Sequence, residues 1–162
     1  MITQERLKEL FDYNPETGKF IRKVSKGNTA IGDEGGSENG EGYLQIMIDG
    51  RVYQAHRLVF LWETGLFPKS LVDHKDGNGS NNRRDNLRVA SRSNNCLNSK
   101  RSASNTSGAK GVSFHKQTQK YRVQVTIKGK QQYFGGYDNL ELADLVATEA
   151  RNKYHGDFAR HS

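Results

Sequence analysis

A chain of 162 residues accommodates one domain or two small ones, and its formal net charge of +7 favours an anionic partner. No segment approaches the ~18 apolar residues of a membrane span, and the start, Met1-Ile2-Thr3-Gln4, has no apolar signal-peptide core. Cys96 is the sole cysteine, which excludes an internal disulfide, argues against structural zinc and fits a reducing cytoplasm.

In chain order, residues 3–11 predict a short amphipathic helix, with Thr3 as cap and Leu7, Leu10 and Phe11 on one face. Asn14-Pro15-Glu16-Thr17-Gly18 is a turn signal, and residues 20–24 read as a strand. Residues 25–42, glycine-rich and polar, read as loop. Residues 43–48 and 51–55 flank Asp49-Gly50, a strong type I′ hairpin signal. Residues 56–64 predict a helix ended by Gly65, and His56 at its start would approach a metal or phosphate, or only hydrogen-bond within the fold.

Residues 71–98 carry the chemistry. A short apolar run ends in Asp73-His74; a Gly/Asn-rich loop, a second short apolar run from Leu87, and an Asn-rich helical stretch with Asn94 and Asn95 follow. Cutting a phosphodiester requires a base, a hard cation and oxygen ligands for it. His74 is the candidate base, since imidazole titrates near neutrality. Asp73 and Asn95 are candidate ligands, and a carboxylate, an amide oxygen and waters suit Mg²⁺ or Mn²⁺. Adjacent strand residues face opposite ways, so Asp73 and His74 cannot both ligate one ion unless the strand bends. The Asn86 side chain has the groups to pin the loop through backbone bonds. The same residues also suit a plain Asx-turn loop closing a hairpin, with His74 exposed.

Ala55-His56-Arg57-Leu58, Asp73-His74-Lys75-Asp76-Gly77-Asn78, Asn81-Asn82, Asp85-Asn86-Leu87-Arg88 and Asn94-Asn95 together resemble the HNH endonucleases, specifically the phage and intron-encoded homing branch with a ββα-metal site. The resemblance implies Asp73 and Asn95 as metal ligands, His74 as general base, Asn86 as the loop-fixing residue and His56 as a further site residue. Asn95 stands where the family's last letter calls for His, which favours Mg²⁺-type chemistry. Arg83, Arg84 and Arg88 are candidate phosphate clamps.

Beyond Asn98, residues 99–110 have the small polar and basic composition of a linker. From Asn86 to Tyr137 there is no Asp or Glu, while ten basic residues, Lys100 and Lys110 among them, fall in that window. A stretch of one sign has the electrostatic character of a phosphate-binding surface. Residues 111–116, 120–127 and 130–134 predict three strands. Tyr121, Val123, Val125 and Ile127 alternate with Arg122, Gln124 and Thr126. A helix opens at a capping box of Asp138 and Glu141 and runs to about His155, with Leu142, Ala143, Val146, Ala147, Ala150 and Tyr154 as its apolar stripe.

These strands and helix, with Lys110-Gly111-Val112, Phe134-Gly135-Gly136-Tyr137 and Gly156-Asp157-Phe158-Ala159-Arg160, resemble the ethylene-response-factor (AP-two) DNA-binding domain, which also occurs in phage homing endonucleases. That resemblance puts Lys110, Ser113, His115, Arg122, Gln124, Thr126, Gln131 and Tyr133 on DNA. Several positions that are Arg or Trp in the plant domain are Ser, Gln or Tyr here, so its sequence preference does not carry over.

The expected fold is α+β: an HNH module over residues 1–98, a basic linker over 99–110, and a three-stranded antiparallel sheet packed on one helix over 111–162. The expected function is a divalent-metal-dependent DNA endonuclease acting on duplex DNA in the host cytoplasm, as a monomer or homodimer. The alternative is a DNA-binding regulator that keeps the HNH scaffold without cutting; binding of structured RNA is the weaker third.

Overall fold

The computed structural model describes residues 1–99 and 101–160, with the side chains of residues 92–94 also outside the description. Two compact units emerge, Met1–Ala90 and a second from Ser91 onward.

The first unit opens with α1 (Gln4–Leu10), whose first turn is closed by Thr3 Oγ1 accepting from the Arg6 amide at 3.2 Å. Phe11 leaves the helix one residue earlier than its apolar periodicity predicts. It starts β1 (Phe11–Asn14), which pairs with β2 (Lys19–Arg22) around the Pro15 turn. The 25–42 loop holds one two-residue strand, β3 (Ser37–Glu38), laid against β4 (Leu44–Ile48). β4 turns at Asp49 and Gly50, both with positive φ, into β5 (Arg51–Gln54). Helix α2 (Ala55–Thr64) follows directly and ends at Gly65.

Leu58, Val59 and Leu61 of α2 join Leu7, Phe11, Phe20 and Ile46 in the core, with Tyr13, Phe20 and Trp62 in mutual aromatic contact. On this frame sits the antiparallel pair β6 (Leu71–His74) and β7 (Leu87–Ala90), in the register Asp73↔Arg88 and His74↔Leu87. The loop between them rests on the N-terminal hairpin. A Cβ at Gly18 would lie 2.4 Å from the Arg83 nitrogen, and the Arg84 amide donates to the Pro15 carbonyl at 3.1 Å.

The second unit begins with α3 (Arg92–Leu97). Segment 101–110, polar in composition, bonds to its own unit: Asn105 Nδ2 donates to the carbonyls of Ala109 and Val112 at 2.9 and 3.0 Å, and Ala109 is buried. Strands β8 (Val112–His115), β9 (Lys120–Ile127) and β10 (Lys130–Tyr137) form an antiparallel sheet with β9 in the centre. β10 runs past the predicted Phe134 through a bulge to Tyr137.

Helix α4 (Leu140–His155) packs Ala143, Ala147 and Ala150 onto Val112, Val123 and Val125. Two details of the predicted helix change. Leu142 and Tyr154 are 48% and 44% exposed, because small alanines spaced along one face bring the helix close to the sheet and leave larger residues on its flanks. The cap is Asn139, not Asp138. The Asn139 Oδ1 accepts from the Glu141 amide at 2.7 Å, while Asp138 lies 3.6 Å from Lys120 Nζ. Asn139→Ala should therefore lower stability by about 1 kcal/mol, and Asp138→Ala by much less, as read from urea midpoints.

Candidate active site

Helix α2, with His56, and hairpin β6–β7, with Asp73, His74 and Asn86, place four of the five residues singled out for catalysis in the first unit, each no more than 9% exposed. The fifth, Asn95, lies on α3 in the second unit, partly buried, with its amide nitrogen bonded to the Ser91 carbonyl at 2.9 Å.

Asn86 fixes the loop. Its Oδ1 accepts from the Asp76 amide at 3.1 Å, and its Nδ2 donates to Asp76 Oδ1 at 3.0 Å and the Asn81 carbonyl at 2.8 Å. Asp76 is the loop's second hub, accepting also from the Asn78 amide at 2.8 Å and Asn81 Nδ2 at 2.7 Å. Gly79 comes so close to residues 42 and 43 that a Cβ there would sit 2.6 Å from the Gly42 carbonyl oxygen.

His74 is 4% exposed, so an exposed His74 on a simple turn is not what the chain builds. Its ring stands edge-on to His56, centroids 5.2 Å apart, and 5.8 Å from Tyr43. Its Nε2 lies 3.1 Å from Asn82 Oδ1. Asn82 Nδ2 donates to the Ser80 carbonyl, and this amide orientation turns Oδ1 to the ring as an acceptor, the arrangement suited to the tautomer with its proton on Nε2. The imidazole lone pair is then on Nδ1. Burial lowers the His74 pKa below the usual imidazole value, against the raising effects of the Asn82 bond and the Asp76 and Asp73 charges. His56 is driven further, to about 4, by burial and then by the charges of His74 and Arg57.

Asp73 turns to the other side of the strand, where Arg88 meets it across the ladder; Nε and Nη2 lie 2.8 and 2.6 Å from the same oxygen, Oδ2. Of the other arginines singled out, Arg83 pairs with Asp85 at 3.1 Å, and Arg84 pairs with Glu63 and covers the Phe60 ring. Among the described residues, no three His, Cys, Asp or Glu side chains gather as a metal-binding group. Asn82, Asp76 and Tyr43 are the site residues the sequence reading did not pick out individually. Asn82 sits in an Asn/Gly run whose composition does not distinguish a buried amide from a turn former.

In the second unit, the register Ser113↔Arg122, Gln124↔Tyr133 and Thr126↔Gln131 places these six, and His115 by alternation, on the sheet face away from α4. Gln124, Thr126, Gln131 and Tyr133 are exposed there, and His115 Nδ1 meets Thr118 Oγ1 at 2.9 Å. Lys110 is held by carbonyls instead: its Nζ donates to Ser99 at 2.6 Å, and its own carbonyl accepts from the buried Arg151. Burial, with Arg151 and Arg160 nearby, lowers the Lys110 pKa to about 8. Lys100 lies outside the described residues.

Residues 53–97 match the HNH endonuclease family. Protein 3.8 of Escherichia phage T7 is 42% identical over 107 residues, covering 64% of this chain and 88% of that protein. The chain therefore belongs to the same family as that phage protein, and residues 53–97 are an HNH endonuclease domain. A solved structure described as DNA binding and cleavage by the HNH homing endonuclease I-HmuI is 29% identical, with a TM-score of 0.42, and the match covers 55% of this chain and 51% of that one. This chain thus spans about half the length of that one. HNH nucleases in general use divalent metal ions. No described helix is long and apolar enough to cross a membrane.

The depressed His56 pKa has a direct consequence. The unfolded chain, with its imidazole near 6.5, takes up a proton before the folded chain does near 4. Stability from this group is therefore full well above pH 6.5 and declines as pH falls toward 4, by about 3 kcal/mol in all. Urea unfolding from pH 7 to 4 should show that decline, and His56→Gln should make it shallower.

Proposed function

We propose that this protein is a DNA endonuclease of the HNH homing type that hydrolyses phosphodiester bonds in duplex DNA with Mg²⁺ or Mn²⁺. The observation that supports it most is His74: a buried imidazole whose Nε2 proton is committed to Asn82, leaving Nδ1 as the basic nitrogen. With its pKa below the usual imidazole value it is neutral at pH 7, the form a general base requires. Nδ1 takes the proton of the attacking water, and the nearby Asp73 and Asp76 charges favour the imidazolium that results.

Asp73 and Asn95 would hold the ion. One carboxylate and one amide oxygen, completed by water, fit a hard cation that retains much of its hydration and not a four-ligand zinc site. When bound, the ion would offset negative charge on the phosphate and on the departing oxygen. His56 flanks the base, Asn86 holds the loop, and Arg83 and Arg84 lie on that loop as phosphate contacts.

In this reading residues 1–98 form the nuclease module and 99–110 the connection. Residues 111–162 form an ethylene-response-factor-type reader whose Arg122, Gln124, Thr126, Gln131, Tyr133, Ser113 and His115 face the major groove, where Arg and Gln match base edges. Lys110 serves at its margin. One site per chain nicks one strand, and a dimer would cut both.

A second reading, a DNA binder that does not cut, draws on the engagement of Asp73 by Arg88. Incubation with supercoiled phage DNA in Mg²⁺ or in chelator separates the two: nicking only with the ion supports the nuclease, and binding without nicking supports the alternative. His74→Ala should reduce cleavage by about 10²–10⁴-fold with DNA affinity retained in gel-shift assays; equal loss of both would remove His74 from the role of base. Arg122→Ala should instead weaken binding to a selected site by about 1–3 kcal/mol, while single-turnover cleavage at saturating protein persists.

A further inference from the structure

The side chain facing Asp73 is Arg88, its direct partner across the β6–β7 ladder. Both side chains are largely buried, 13% exposed for Arg88 and 7% for Asp73, and both guanidinium contacts, at 2.8 and 2.6 Å, fall on the one oxygen Oδ2. A buried carboxylate without a counter-charge is costly, so this pair keeps the hairpin folded when no ion is bound.

A divalent ion coordinates a carboxylate oxygen at about 2.0–2.1 Å, well inside the distance at which the guanidinium sits. An ion on Oδ2 would share that oxygen with the guanidinium, and two cations there would repel strongly in a medium of low dielectric. We infer that Arg88 is a positioning residue that acts as a resident counter-cation for Asp73: the incoming divalent ion displaces it, and the released guanidinium turns to an anionic oxygen of the DNA backbone. This rests on the reading of Asp73 as a metal ligand.

Two consequences follow. Ion affinity in the free protein is held down by the cost of displacing Arg88, and it rises when duplex DNA offers the guanidinium a phosphate in exchange. Arg pairs with carboxylate and phosphate oxygens alike, so the guanidinium can exchange one anionic partner for the other.

The test is Mn²⁺ binding by isothermal titration to the full chain without DNA. Arg88→Gln should bind Mn²⁺ about tenfold more tightly than the parent, and its melting temperature in chelator should fall while the rise on adding Mn²⁺ grows. Arg88→Lys, which keeps the charge without the fork, should fall between the two and serves if Arg88→Gln does not fold. In the unaltered protein, the Arg88 Nε–H resonance should shift as Mg²⁺ saturates. An unchanged Mn²⁺ affinity in folded Arg88 variants, or an unmoved resonance, overturns the exchange while leaving Asp73 a ligand. Unchanged Mn²⁺ binding in Asp73→Asn overturns the ligand reading as well.

Discussion

The ladder between β6 and β7 decides what the first unit can do, because its register chooses which side chain faces which. Asp73 opposite Arg88 and His74 opposite Leu87 put the carboxylate on its counter-cation and the imidazole on the side of α2. A slip of one residue would exchange the two faces and strand both groups. Four residues per strand form a weak pair by themselves. The register is held from outside the ladder: the Lys75 amide donates to the Asn86 carbonyl at 2.9 Å, Asn86 and Asp76 close the loop, and Arg57 reaches from α2 to the Pro68 carbonyl at 2.6 Å.

This explains the division of the unit into a polar interior and an apolar one. His56, Asp73, His74, Asn82 and Asn86 are all buried, and groups of that kind destabilise a fold unless partnered. Stability has to come from elsewhere, and it comes from the first sixty residues, where Leu7, Phe11, Tyr13, Phe20, Ile46 and Leu58 bury apolar surface with no catalytic task. The two interiors meet at Tyr13, whose ring packs on Phe20 and whose hydroxyl donates to the Asn82 carbonyl at 2.8 Å. Residues remote in sequence from the hairpin thereby set the amide that orients His74.

Elements governed by local chemistry were legible in the sequence. Asp49-Gly50 named its own hairpin, Gly65 its helix end, and the alternation in β9 its two faces. What escaped depends on tertiary competition. Phe11 has the periodicity of a helix residue, but pairing with Arg22 draws it into β1. Asp138 and Asn139 are both good caps, and only the path of the chain out of β10 selects the second. In the site, Asp73 and His74 stood out because a carboxylate and an imidazole ending an apolar run have little reason to be there. Asn82 did not, since its burial results from contacts with Tyr13 and Ser80. Nor did Arg88 as the partner of Asp73, because a cross-strand pair requires the register, which a 12-residue loop does not reveal.

Charge separates the two units as sharply as packing does. Residues 1–90 carry thirteen basic and thirteen acidic side chains, while the chain from 91 onward carries twelve and five. In the first unit arginines are largely committed to carboxylates, as in Arg6–Asp49, Arg83–Asp85, Arg84–Glu63 and Arg88–Asp73. A balanced module of this kind exerts little long-range pull on a polyanion, so under the proposed function the attraction to DNA would come from the second unit. For a nuclease that ordering is useful. Under the proposed function, a first unit with no net charge would have weak affinity for arbitrary duplex, and it would reach high local concentration at a phosphate once the covalently attached sheet had bound nearby.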